Sequence, residues 1–232
     1  EKEDHAIMHP GLWISYGWIS GNDYWRFKSK VNFEGFIENP RVKEFEATFS
    51  ARNRYLSENG KETICIEDTS YKFSLIPEGI ILDLIAVYYN NEREFEFGDQ
   101  EESGLALRMA KPLSVKFGNG KILNDRGDVN GKGTWGKFFK WIDYSGIFKG
   151  QRIGIMVIPS PTNSTKSWSH SRDYGALVAN PFPKQPQERR EPYVKTLIKK
   201  GEKLKMQYRV LIHENQKGKF DPKRIAVHLL NQ

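Results

Sequence analysis

The sequence predicts an all-β protein, an antiparallel β-sandwich of the jelly-roll or supersandwich type, and three observations lead there. Apolar residues alternate with polar ones along several short runs, the pattern of strands with one buried and one wet face. Turn signals rich in Gly, Asn and Asp separate those runs at close intervals. Sustained apolar spacing at three and four residues is hard to find, which leaves little room for helices.

Along the chain, "VKEFEATFSA" leads from Val42 to Phe45, Ala47 and Phe49 on one face, with Glu44, Glu46 and Thr48 opposite. "ENGK" (58–61) follows as a hairpin signal, because Asn-Gly tolerates the positive φ of a tight turn. "TICIED" aligns Ile64 with Ile66, and "YKFSL" aligns Tyr71, Phe73 and Leu75. "GNGK" (118–121), "DRGDVNGKG" (125–133) and "YSGIFKGQ" (144–151) read as further turns. "RIGIMVI" then aligns Ile153, Ile155 and Val157. "NPFPKQPQERREP" (180–192), rich in proline and charge, is expected to be a long loop within one domain, since strand sequence resumes beyond it. In that last run Leu204, Met206, Tyr208, Val210 and Ile212 alternate with mostly polar residues, and His213 and His228 fall in late strand-like stretches. One sandwich domain over 1–232 is expected, lacking an N-terminal portion.

Composition narrows the function classes. At 232 residues and 38% hydrophobic content the chain can bury a substantial core. Its longest apolar run, "GIILDLIAVYY" (79–89), is too short for a membrane helix and carries Asp83. The first residues hold no apolar signal core. The compartment is therefore not legible, with a periplasmic or extracellular address compatible and a cytoplasmic one equally so. The lone Cys65 rules out an internal disulfide or a cysteine-rich metal site, and its alternating surroundings make it a structural thiol. The net charge of +7 is concentrated in residues 184–232, with 13 Lys/Arg against 5 Asp/Glu. There, lysines alternate with apolar residues as on the wet face of a strand, so nucleic acid is not the expected partner.

Four clusters carry chemistry. "DHAIMHPGLW" holds His5 and His9, four residues apart; the plain alternative to a metal pair is an exposed terminus. "GWISGNDYWRFK" sets Trp18, Tyr24 and Trp25 around Asn22 and Asp23, which suits the apolar faces and polar edges of sugar rings as well as it suits a core beside a turn. "FGDQEESGLALRMAKPL" crowds Asp99, Glu101 and Glu102 before a strand that contains Arg108, and adjacent carboxylates can separate into acid and base. In a regular strand Glu102 and Arg108 would face one side. The fourth, "SWSHSRDYG" (167–175), places Trp168, His170 and Arg172 on one parity and closes with Tyr174. A neighbouring arginine favours the neutral imidazole, the form that serves as base or ligand. The plain reading is a histidine satisfied by the backbone with Arg172 paired to Asp173.

Taken in order, "HPGLW", "SGNDYWR", "FGDQEESGLALRMAKPL", "WGKFFKWIDYSG", "SWSHSRDYG", "NPF" and "YRVLIHE" resemble a bacterial domain family labelled methane oxygenase PmoA-like, a domain of unknown function. The resemblance spans nearly the whole chain and implies a soluble β-sandwich, found in bacteria rich in carbohydrate-degrading systems. It implies weight on His9, Glu102, Arg108, Asp143, Tyr144, Trp168, His170, Arg172 and Tyr174. Where the family often has an acidic residue, this chain has Trp18 in "SYGWISG".

The expected function is a carbohydrate-active protein, an enzyme using general acid/base chemistry on a sugar or sugar derivative. Glu102 and His170 are the catalytic candidates. His9, Trp25, Arg108, Trp168, Arg172 and Tyr174 are the candidates for holding a small-molecule or carbohydrate ligand. The walls of this pocket are expected from "DHAIMHPGLW", "GDQEES", "SWSHSRDYG" and "WIDYSG". A non-catalytic binding module and a metalloenzyme ligated by His5, His9 and His170 are the alternatives; no other cofactor is expected.

Overall fold

The computed structural model describes residues 9, 11–182, 194–216 and 220–230. Two antiparallel sheets of unequal width face each other. The short sheet is four strands in the order β1 (Leu12–Tyr16), β7 (Ser103–Arg108), β12 (Ala176–Asn180) and β11 (Trp168–Ser171). The long sheet is eight strands in the order β2 (Val31–Lys43), β3 (Glu46–Leu56), β4 (Thr63–Ile76), β5 (Gly79–Tyr89), β14 (Lys203–Gln216), β10 (Gln151–Pro159), β9 (Ile142–Phe148) and β8 (Lys121–Asn124). A two-stranded ladder of β6 (Phe95–Gly98) and β13 (Lys195–Ile198) stands beside them. The all-β sandwich expected from the sequence is therefore the observed architecture.

Alternation fixes what each face carries. Leu105 and Leu107 of β7 and Leu177 and Ala179 of β12 point inward, against Leu82, Leu84, Ala86 and Tyr88 of β5 and Leu204, Met206, Tyr208 and Val210 of β14. A fully buried Leu-sized side chain contributes roughly 1.5–3 kcal/mol, so this row is the main stabilising element. The middle of the long sheet is buried on both sides, with Ile81 of β5 in the outer core. Met156 and Ile158 of β10 and Leu211 of β14 face outward, into a second core roofed by Ala226 and Leu229 of the C-terminal helix.

That helix, which we label α2 (Pro222–Leu230), corrects the reading of this stretch as strand-like. Its signals are Asp221, whose carboxylate accepts from the Lys223 and Arg224 amides, and Pro222 in the first turn. His228 lies on this helix and not on a strand. A five-residue helix, α1 (Asn130–Thr134), occupies part of the expected turn at 125–133.

Two strand readings also change. "VKEFEATFSA" is a hairpin tip and not one strand: β2 ends at Lys43, Glu44 turns with φ +49°, and Val42 pairs with Ala47. In "TICIED", Cys65 and Glu67 point inward, and Ile64, at a register shift of the β3–β4 pairing, is buried in the same core, while Ile66 is only half-buried. Cys65 is fully enclosed, and burial pushes its thiol well above the ordinary value, which suits a structural side chain. Residues 183–193 of the expected long loop, and His5, lie outside the described residues.

Candidate functional site

The outer face of the short sheet carries the site. Register places Trp13 opposite Ala106, Ala106 opposite Val178, and Val178 opposite His170. One row thus crosses all four strands, with large rings at both ends and a small floor between. Three strand spacings set its Cα ends roughly 14 Å apart. Beside this row Ser15 pairs with Gly104, and Asn180 pairs with Trp168. Gly104 is required there: its φ is +109°, and a Cβ would meet the Ala179 carbonyl at 2.4 Å.

At the β1 end, Trp13 and Trp25 pack with Ala106 and Val178 as a separate small cluster. His9 stacks on Trp13 at 5.3 Å between centroids and meets Trp25 edge-on at 5.9 Å. At the β11 end, Trp168 and His170 are buried, and both lie against the ring of Trp135. Trp135 in turn stacks under the Arg172 guanidinium at 5.5 Å. The indole N–H groups of Trp25, Trp135 and Trp168 are buried and meet no acceptor among the described residues.

The reactive groups meet between those rings. Arg172 Nε donates to His170 Nε2 over 3.3 Å. A guanidinium only donates, so Nε2 accepts, the imidazole is neutral, and its proton sits on Nδ1. His170 Nδ1 faces Glu101 Oε2 at 3.7 Å, and Arg172 Nη2 reaches the same oxygen at 3.4 Å. Asn180 anchors this loop by donating from Nδ2 to the Gln100 carbonyl at 2.5 Å. Carboxylate, imidazole and guanidinium therefore form a closed triangle at the protein surface.

The turn that carries Arg172 is held from below and from the side. Tyr144 of β9 lies on the inner face and donates from Oη to the Asp173 carbonyl at 3.1 Å. The same oxygen accepts from the Val115 amide at 3.1 Å, and burial pushes the phenol up to about 12. Asp173 Oδ1 accepts from the Gly131 amide of α1 at 2.7 Å, so Asp173 pairs with backbone and not with Arg172. Gly175 closes the turn with φ +116°. Arg108 lies over the Tyr174 ring at 4.7 Å, and desolvation lowers its guanidinium from the ordinary value while raising the Tyr174 phenol.

The structure brings together His170, Arg172 and Trp168 at one wall, His9 and Trp25 at the other, and Arg108 with Tyr174 beside the floor. It does not bring Glu102 to His170. Glu102 precedes β7, outside the regular strand on which the shared side with Arg108 depended, and its carboxylate pairs with Arg26. "WIDYSG" does not supply a wall. Asp143 lies on the outer face of the long sheet, accepting from Ser145 Oγ at 2.7 Å and bonded to His213 Nε2 at 2.8 Å. His9 and His170 lie on opposite sides of the floor, and no group of three or more His, Cys, Asp or Glu suited to a metal ion occurs among the described residues. The candidates drawn from the sequence do not include Glu101, Trp13, Trp135 or Asn180, each inside a quoted motif; strand register places Trp13 and Asn180, and the turns outside the strands place Glu101 and Trp135.

No curated protein matches this sequence. Among solved structures, a galactose mutarotase-like protein from Lactobacillus casei aligns at 11% identity and a TM-score of 0.38, over 76% of this chain and 73% of its own. A galactose mutarotase-like protein from Clostridium acetobutylicum aligns at 11% identity and a TM-score of 0.40, over 84% of this chain and 69% of its own. No helix among the described residues is long and apolar enough to cross a membrane. A family model matches residues 1–229, and this chain belongs to the family of unknown function DUF6807.

Proposed function

We propose that the outer face of the short sheet binds a sugar derivative bearing an anionic group, and that His170 and Glu101 move a proton on it. The triangle of Glu101, His170 and Arg172 carries this reading. Neutral imidazole is a base only through the lone pair on Nε2, and Arg172 now occupies that lone pair. A substrate carboxylate would draw the guanidinium to itself, since a charge-assisted pair is the stronger bond. Nε2 is then released to take a proton from the substrate. Nδ1–H meanwhile points at Glu101, whose negative charge stabilises the imidazolium that forms. Arg108 supplies a second cation for the anionic group. The half-buried indole faces of Trp13 and Trp135 suit the C–H face of a pyranose. Proton abstraction of this kind is the first step of elimination or isomerisation of a sugar acid.

One observation favours binding without turnover: the lone pair needed for catalysis is already satisfied. A thermal-shift panel of uronic, aldonic and neutral sugars on wild type and His170→Ala tests the site. Saturation at about 100 times Kd adds roughly 2.7 kcal/mol, a rise on the order of 5–10 °C. We expect a sugar acid to stabilise the wild type and not the variant. Deuterium exchange into that ligand in heavy water then reads proton abstraction directly; binding without exchange assigns a binding module. A panel in which no sugar acid shifts the melt overturns the proposal.

A further inference from the structure

A second cleft lies around the edge of the short sheet, where β1 faces the inner surface of β2, β3 and β4. The long sheet is wider than the short one, so its inner face continues past β1 and leaves a cavity of about 470 Å³. Trp13, Trp25, Tyr24 and Phe27 form its aromatic wall, and Tyr55, Tyr71 and Glu67 its floor.

Glu67 is an unusual residue for an inward position. Its neighbours on the same face of β4 are Cys65, Thr69, Tyr71 and Phe73, and the residue is 4% exposed. An isolated buried carboxylate is costly unless bonded. Here three neutral donors hold it: Tyr55 Oη to Oε2 at 2.6 Å, and Asn53 Nδ2 and Thr69 Oγ1 to Oε1 at 3.0 and 2.7 Å. Oε1 thus has both lone pairs engaged, and Oε2 keeps one acceptor position. Tyr71, Asn32 and Lys30 also line the space.

From this lining we infer that the cleft is a binding site for an uncharged pyranose, mono- or disaccharide in size. Rings on one wall suit the apolar face of a sugar, and carboxylate, amide and phenol groups on the floor suit a row of vicinal hydroxyls that both donate and accept. Charge selects the class. A cationic ligand would meet Lys30 at the rim, and an anionic one would meet Glu67 on the floor. A neutral ring with donor and acceptor groups satisfies both. This site differs from the outer-face triangle, where two arginines and one carboxylate favour a negative group, and the inference stands without that reading. Trp13 and Trp25 border both sites.

Titration of the purified chain with glucose, galactose, mannose, xylose, maltose and cellobiose to roughly 20 mM, followed by tryptophan fluorescence and calorimetry, tests the inference. At least one neutral sugar is expected to bind, with affinity lowered about tenfold by Tyr71→Phe and by Glu67→Gln, and unchanged by His170→Ala. Because Glu67 is buried and triply bonded, Phe27→Ala at the exposed rim is the second variant; it is expected to weaken the same sugar while leaving the melting temperature in place. Failure of every neutral sugar to bind overturns the inference. So does a sugar whose binding survives Tyr71→Phe and Phe27→Ala but is lost in His170→Ala, which would place it on the outer face.

Discussion

The outer faces of the two sheets use the same residue types to opposite ends. On the long sheet, Arg52 grips both oxygens of Asp68 at 2.7 and 2.8 Å, and Arg209 grips both oxygens of Asp83 at 2.6 and 3.0 Å. Each guanidinium has one carboxylate, fork to fork across neighbouring strands, and the pair is self-satisfied. On the short sheet, Arg172 divides its donors between one imidazole nitrogen and one oxygen of Glu101, at longer distances, and rests on an indole. The lesson is that geometry separates a structural ion pair from a responsive one. A bidentate fork gains little from an incoming anion; a split and elongated arrangement can re-form around it.

The largest effect that would break this contrast is catalytic. Under the proposed proton transfer, Glu101→Gln and His170→Ala each lower turnover of a sugar acid by about 10²–10⁴, while Glu102→Gln, whose carboxylate pairs with Arg26, leaves it within a few-fold. Equal losses at Glu101 and Glu102 would erase the distinction drawn between them.

Next comes the buried pair on the long sheet. Asp143→Ala strips His213 of its partner in a site where both side chains are at most 4% exposed. Breaking such a pair should cost about 3–5 kcal/mol by denaturant titration, with ligand affinity at the short sheet unaltered. A stability change under about 1 kcal/mol would make the pair ornamental.

Tyr144 joins the two faces and gives a pH test. Its folded phenol is raised to about 12 against an ordinary 10.0. A raised value means the stabilisation is fully present below about pH 10 and is lost as pH climbs through about 12. Two units correspond to roughly 2–3 kcal/mol, which should be missing from the alkaline decline in Tyr144→Phe. An unchanged alkaline profile in that variant assigns the decline to other tyrosines.

The smallest effect is on the self-satisfied fork. Arg52→Ala should cost only about 1 kcal/mol, because the pair is partly exposed, and should leave both proposed sites untouched. Any loss of ligand affinity would show that the two faces are coupled.

The sandwich was legible because alternation is a local property: "YKFSL" and the last long run point the way their parity says. The row from Trp13 to His170 was not, since it depends on four strands meeting in one register. Within "GDQEES" strand parity favours Glu102, whereas it is Glu101 that reaches His170, because the chain turns there and strand parity does not extend into a turn. Asp143 was misplaced for a related reason. Adjacent residues of a strand face opposite sides, and only the sheet's own position says which side is the pocket. The helix at 222–230 was readable from Asp221-Pro222 and the spacing of Ile225, Ala226 and Leu229, signals outweighed by the strands before it.

The pairing of β5 with β14 has a consequence for how the chain reaches this state. Asp83 bonds Arg209 across 126 residues, at the centre of the long sheet. The apolar strand "GIILDLIAVYY" therefore has one edge unsatisfied during synthesis until residues 203–213 leave the ribosome. At about 5–20 residues per second that interval is on the order of 10 s, long enough for premature association between nascent chains. Slow folding is what such long-range strand pairing entails.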